Sequence, residues 1–406
     1  MIGSPSSTEN TRSAIWRWVI LFLFFGLALF RIRSASFDDF AVYWRAGKEA
    51  LQGVSVYTEP GHYQFKYAPF TALSLGWIHD LLLRALSLMG WTQEGFRPHG
   101  SVGGMLVSEA SRGVANVLYW FFLSAWMFWM VDLSRRISPA RLRWKHLALV
   151  LILLLQSLSE ELNLGQVNFI PVICMVLVLR ELDRNTRSMA QVVACSIGLA
   201  LAVQFKLFSF IVFPLLAFRG RWSWIFGSAL AIAGCNLLGL GVPHGWSHAA
   251  SEFVAWATSL TKSSDQLMYS EHNISWIGSV GKATGMPIAA KASWALLVLV
   301  FLVGQFRIRH LKSEAQISWN LASILILNPL TWNYWMLFLA PQLFQLLASY
   351  SDKIERNPRR FAGIFLLAWI PFHVIFSAWT RNWLEPPMIF GLTLLWFVRN
   401  TRGDRR

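Results

Sequence analysis

The chain has 406 residues, 55% of them hydrophobic and 14% charged, with a mean hydropathy of +0.44. Soluble domains carry about a quarter charged residues, so this balance excludes an ordinary soluble fold and indicates a polytopic membrane protein. The formal net charge of +15 sits in short clusters between apolar runs, the positive-inside pattern of a membrane protein and not the footprint of a nucleic-acid binder.

The first apolar run, 14–30, follows a polar start and is not followed by a small-residue cleavage site, so it is expected to be a retained anchor. The second clear run is 114–131, and further runs recur to the C-terminus. Basic clusters at 135–145, 180–187, 219–221, 307–312, 353–360 and 399–406 are assigned to the cytoplasm. The chain then turns on the outer side near Gly165-Gln166, Lys206, 241–287, 328–334 and 381–387. This frame predicts one all-α membrane domain of about 12 spans, 1–406, with larger outer loops at 34–65 and 243–290.

Two stretches resist the frame. Residues 189–218 are short for two crossings, so half-helices broken near Gln204–Lys206 are expected there. Residues 70–83 are apolar, but a full crossing would reverse the parity, so this piece is read as re-entrant or interfacial. Cys174, Cys195 and Cys235 all lie in apolar sequence, which predicts buried thiols and not disulfides or a metal site.

The outer turns carry the chemistry. In "SASFDDFAVYWRAG", residues 34–47, Asp38 and Asp39 open a stretch with apolar or small residues at Phe40, Tyr43, Trp44, Gly47, Ala50 and Leu51. That spacing predicts an amphipathic helix lying at the membrane interface. Two acids at a helix start are ordinary capping groups, with Ser36 and Asp39 spaced as a capping box. A capped carboxylate can still serve as a base. "VYTEPGHYQFKYAPF" follows, with Lys66 and Tyr67 read either as an interfacial belt or as the rim of a phosphate site.

"SEELNLGQVNF" places Glu160, Glu161, Asn163, Gln166 and Asn168 between two apolar spans. A plain polar turn explains it, but polar groups at membrane depth are costly and mark function. Lys206 in "ALAVQFKLFSF" is either a snorkelling lysine or a counter-ion for phosphate in a low dielectric. "ILNPLTWNYW" holds Trp332 and Asn333 at another outer turn. His244 and His248 have metal-ligand spacing, but without a third ligand a solvated loop accounts for them.

Together these stretches resemble the polyprenyl-phosphate-mannose-dependent mannosyltransferases of glycosyltransferase family 87. "DDFAVYWRAGKEALQGVSVY", "FKYAPF", "LNLGQVNF", "FKLFSFIVFPLLAFRGRW" and "LNPLTWNYW" stand in the family's order over roughly residues 14–350. The resemblance implies a GT-C-type fold and transfer from a lipid-phosphate sugar at the outer face of a bacterial inner membrane. It implies Asp39 as the inverting general base, with Asp38 in reserve. Lys206, Lys66 and Arg45 are then the candidates for the donor phosphate. Tyr43, Tyr67, Gln166, Asn168, Trp332 and Asn333 are the candidates for substrate contact. The expected partners are a polyprenyl-phosphate sugar, a lipid-linked acceptor and membrane lipids, with no cofactor, no metal and no nucleic acid. One departure stands out: some members carry His after the Trp of the Pro-x-x-Trp turn, where this chain has Asn333. An amide donates a hydrogen bond but supplies no titrating proton. The competing class is a transporter or lipid flippase, which would share the span count and the polar turns but would tend to show paired repeats. None is evident in this sequence.

Overall fold

A computed structural model describes residues 15–20, 22–23, 26, 38–57, 65–89, 109–140, 142–184, 188–268, 273–351, 390–391, 393 and 397. Among these residues all regular structure is helical. Four helices are long and apolar enough to cross a membrane: Gly113–Ile137, Arg143–Leu164, Trp222–His244 and Pro287–Ile308. The protein is therefore a polytopic helical membrane protein, as its composition requires.

Helix α1 runs Asp38–Leu51 and α2 runs Pro69–Leu88. The acids at the start of α1 and Lys48 in its last turn both suit the helix dipole. Ser36 of the expected capping box lies outside the described residues. The α1 face carrying Phe40, Tyr43, Ala46 and Ala50 is buried. Proline opens α2, where its missing N–H costs nothing. The two helices cross at Gly47 and Gly76, where a Cβ on Gly47 would lie 2.7 Å from the Gly76 nitrogen. Only glycine permits that backbone approach.

Helix α3, Glu109–Ile137, leads to α4, Arg143–Leu164. Gly165 ends α4 in the left-handed region at φ 69°, the usual glycine stop. The chain reverses there into α5, Phe169–Glu181. Helix α6, Met189–Phe205, starts at Ser188, whose side chain accepts from the Gln191 N–H. It stops at Lys206, whose backbone is extended. A 3₁₀ turn, Leu207–Val212, and a short helix α7, Phe213–Phe218, complete the segment. The expected break at Lys206 is thus present.

Helix α8, Trp222–His244, turns at Gly245 into α9, Trp246–Leu267. Short α10, Trp276–Thr284, precedes α11, Pro287–Ile308. Residues 243–290, read from the sequence as a loop, are mostly helical, and His244 and His248 sit on the two helices that meet at Gly245. Helix α12, Ser313–Leu327, is followed by a turn, a 3₁₀ segment, Asn333–Leu339, and α13, Ala340–Ser349. Asn273 pins that turn. Its Nδ2 donates to the Met268 and Pro329 carbonyls, and its Oδ1 accepts from the Ser275 and Thr331 N–H groups.

Four of the six basic clusters lie at helix ends on one side of the bundle. Arg180 reaches Asp132 at 2.8 Å and Glu314 at 3.3 Å, and Arg136 joins the same acids. Arg219 donates to the carbonyls of Leu182 and Arg309. Asp183 accepts from the Ser313 N–H. The other two clusters lie outside the described residues. All three cysteines are free thiols within helices.

Candidate active site

A cavity of about 1000 Å³ opens at the other end of these helices. It is bounded by the start of α1, the segment before α2, the Gly165 turn, the break after α6 and the Pro329–Trp332 turn. These five walls are places where a helix starts or stops, where backbone polar groups and side chains can face a cavity without meeting lipid, and the flanks of α9 and α11 close the cavity with Trp256, Leu260, Trp294, Val298, Phe301 and Leu302.

Asp39, Tyr43, Lys66, Tyr67, Gln166, Lys206 and Trp332 all line it. Asp39 and Tyr43 share one face of α1 because they are one turn apart. Gln166 follows the glycine that reverses the chain, and Lys206 occupies the helix break.

Asp39, Gln166, Tyr43, Tyr67 and Lys206 form one hydrogen-bonded chain. The Gln166 Nε2 donates to Asp39 Oδ2. The Gln166 Oε1 accepts from the Tyr43 hydroxyl at 3.0 Å and from Lys206 Nζ at 3.4 Å. Lys206 Nζ also donates to the Tyr67 hydroxyl at 2.7 Å, and the two tyrosine oxygens are 2.6 Å apart. With the Tyr43 proton directed at Gln166, the Tyr67 proton goes to Tyr43. The amide of Gln166 has only one sensible orientation, since an ionised carboxylate accepts and an ammonium donates. A cation is thereby linked to a carboxylate through two phenols and an amide.

The Lys206 ammonium also lies 4.7 Å from the Tyr67 ring centroid and 5.7 Å from that of Trp335, within cation–π range. Tyr67 is locked from below by Tyr57, whose hydroxyl donates to the Tyr67 carbonyl. Burial pushes the Tyr67 hydroxyl well above its ordinary pKa, and the Asp39 charge pushes it further. It is a neutral phenol. Burial holds the Lys66 ammonium below the ordinary lysine range, with Asp39 opposing that shift.

Four of the site candidates stand apart from the cavity lining or beyond the described side chains. Arg45 does not line the cavity and pairs with Glu49 at 3.8 Å. Six residues beyond Asp39, it falls about 120° round the helix. Asn168 is fully buried behind the turn, where its Nδ2 donates to Glu161 Oε2 at 2.8 Å. The side chains of Asp38 and Asn333 lie outside the described residues, although both backbones are helical.

Sequence reading missed Gln204, Trp256 and Trp335, which also line the cavity. It quoted Glu161 without a role. This carboxylate is 1% exposed and accepts from Asn168. No local signal marks Trp256, since it comes from α9 and reaches the site through the Lys66 carbonyl, to which its Nε1 donates at 3.2 Å.

The described helices thus form a polytopic bundle with a charged, tyrosine-lined cavity at its helix breaks. The family model of glycosyltransferase family 87 matches residues 105–319, just over half of the chain, and the protein belongs to that family. It is a glycosyltransferase. The match includes Gln166 and Lys206, while Asp39, Tyr43, Tyr67 and Trp332 fall outside its limits. No curated protein and no solved structure matches the chain.

Proposed function

We propose that this glycosyltransferase moves a sugar, mannose by resemblance, from a polyprenyl-phosphate donor to a lipid-linked acceptor at the outer face of a bacterial inner membrane. The observation that carries the reading is the Lys206–Tyr67–Tyr43–Gln166–Asp39 chain in a cavity bounded by helix breaks. It sets a cation and a carboxylate at opposite ends of one fixed network. A lipid-phosphate sugar needs both.

Asp39 is the general base. It takes the acceptor hydroxyl proton as that oxygen attacks the anomeric carbon. The bond from that carbon to the phosphate oxygen breaks, its electron pair leaves with the phosphate, and the configuration inverts. The hydroxyl becomes acidic only as the new bond forms, so an ordinary carboxylate suffices. Lys206 and Lys66 offset the charge growing on the leaving phosphate, and the surrounding low dielectric strengthens that effect. Gln166 holds the base in place through its amide. Tyr43, Tyr67 and Trp332 supply flat surfaces for the sugar and the head group. Arg45 and Asn168 take no part in this scheme. Asp38 is the reserve base and Asn333 a neutral hydrogen-bonding group at the Trp332 turn.

The same reading takes 1–406 as one membrane domain of about 12 spans, with α1 lying at the outer interface. The collection of basic clusters at the opposite end supports a cytoplasmic side there. The test is transfer of labelled mannose from polyprenyl-phosphate mannose in membranes holding wild type or Asp39→Asn at equal expression. Removing the base is expected to cost about 10²–10⁴-fold in rate. Equal transfer by both proteins excludes Asp39 as the base. Transport of a lipid without any transfer places the protein in the flippase class.

A further inference from the structure

Gln204 lies two residues before Lys206 and lines the cavity, yet it is only 2% exposed. Its surroundings fix which way its amide points. The Phe70 N–H donates to Asn236 Oδ1 at 3.0 Å, so the Asn236 nitrogen must face the other way. That nitrogen donates to Gln204 Oε1 at 3.0 Å and to the Ile232 carbonyl at 2.8 Å. Gln204 Oε1 is thereby committed as an acceptor. The backbone carbonyl of Gln204 is also occupied, by the Ala68 N–H and the Thr71 hydroxyl. The Nε2 group is left buried with no protein partner.

A buried donor without an acceptor costs about 1–3 kcal/mol, so native structures seldom keep one unless something else fills it. The backbone carbonyl and Oε1 of this residue are held from α2 and α8, so Nε2 is the side-chain atom left over beside the cavity that Gln204 lines. We propose that Gln204 Nε2 donates a hydrogen bond to an oxygen on the polar head of the lipid-phosphate sugar. The inference rests on the donor reading above and adds a neutral, orientation-fixed contact beside the two lysines. That oxygen belongs either to the phosphate or to a sugar hydroxyl, and both present the same acceptor chemistry.

Two variants separate this contact from a structural role. Gln204→Glu keeps the acceptor for Asn236 and removes the donor. Gln204→Met removes both and adds no charge. Binding of polyprenyl-phosphate mannose and of polyprenyl phosphate alone is measured on the full-length protein in lipid nanodiscs. Both variants are expected to lose about ten- to hundred-fold in affinity for the mannose-bearing lipid. Equal loss for polyprenyl phosphate assigns the oxygen to the phosphate. Loss confined to the mannose lipid assigns it to the sugar. Loss in Gln204→Met alone means the residue acts by holding Asn236, and loss in Gln204→Glu alone reports charge repulsion. Either outcome overturns the contact, as does no loss in either variant. Wild type that binds neither lipid overturns the donor reading and the contact with it, which distinguishes that failure from a failure of Gln204 alone.

Discussion

Tyr43 and Tyr67 each have a single hydroxyl proton, and that scarcity makes the network directional. Lys206 donates into Tyr67, Tyr67 into Tyr43, and Tyr43 into Gln166. Removing either hydroxyl interrupts this route and leaves Lys206 joined to Gln166 only through its 3.4 Å contact with Oε1. Tyr43→Phe and Tyr67→Phe are therefore expected to lower kcat/KM alone by similar amounts. The double variant should lose little more than either single, with a coupling of about 0.5–3 kcal/mol from the cycle. Additive losses would mean that the two phenols act separately. Lys66 gives a pH dependence with a defined sign. Its protonated form is disfavoured by burial, so it loses its charge at lower pH than a solvated lysine. Phosphate attraction from this residue should fade at a lower pH than that of a solvated lysine. Lys66→Arg should move the rise in donor KM to higher pH, because guanidinium keeps its proton. For stability, a lowered lysine pKa means the unfolded chain binds more protons, so this contribution grows as pH rises through the folded pKa. At this scale the site was half legible. Asp39, Gln166 and Lys206 announce themselves as polar groups set in apolar sequence. Gln204 does too, but its role depends on Asn236 and Phe70, which no spacing rule connects to it. Arg45 and Asn168 have suitable chemistry, but helix phase carries one away from the cavity and Glu161 draws the other inward.

The elements that build the site are defined by where they end. Residues 189–218 betray their break through length alone, since two full crossings need about 40 residues. Gly165 is equally readable as a stop, since it follows an apolar span and precedes another. The crossing of α1 and α2 was not readable, because nothing local says that Gly47 and Gly76 face each other. A Cβ on Gly47 would meet the Gly76 backbone at 2.7 Å, and one on Gly76 would meet the Gly47 carbonyl oxygen at 2.6 Å. Backbone cannot yield as a flexible side chain does. Gly47→Ala is expected to cost about 1–3 kcal/mol by overpacking and to displace α1 with Asp39. Thermal unfolding in detergent checks the first part. A fall in kcat larger than the loss of folded protein checks the second. Unchanged stability and activity would mean that the helices separate without cost.

For the molecule as a whole, composition and basic clusters were enough to establish a polytopic helical protein with two unlike ends. The path through residues 65–113 was not, because apolar content alone does not separate a crossing from a helix packed on its neighbours. Helix α2 illustrates this: it buries Leu73 and His79 yet exposes Trp77 and Leu81. Helix α5 has a further consequence for the whole assembly. It joins the Gly165 turn to the Arg180 cluster in 13 residues, about 20 Å at 1.5 Å per residue. The hydrocarbon slab is about 30 Å thick. Helix α4 ends at the same turn with 22 residues, about 33 Å, and matches the slab, so the two arms of this hairpin differ in length. A turn drawn below the head groups by the short arm makes phospholipid chain length a rate variable, because donor and acceptor heads descend farther in a thicker bilayer. Transfer measured across nanodiscs of increasing acyl length separates the two arms: slowing with thickness places the chemistry below the head groups, and a rate indifferent to thickness places it at the aqueous surface. Below the head groups the acceptor is selected by its anchor: a hydroxyl on a lipid can be lowered to the base, and a hydroxyl free in water has nothing to hold it there.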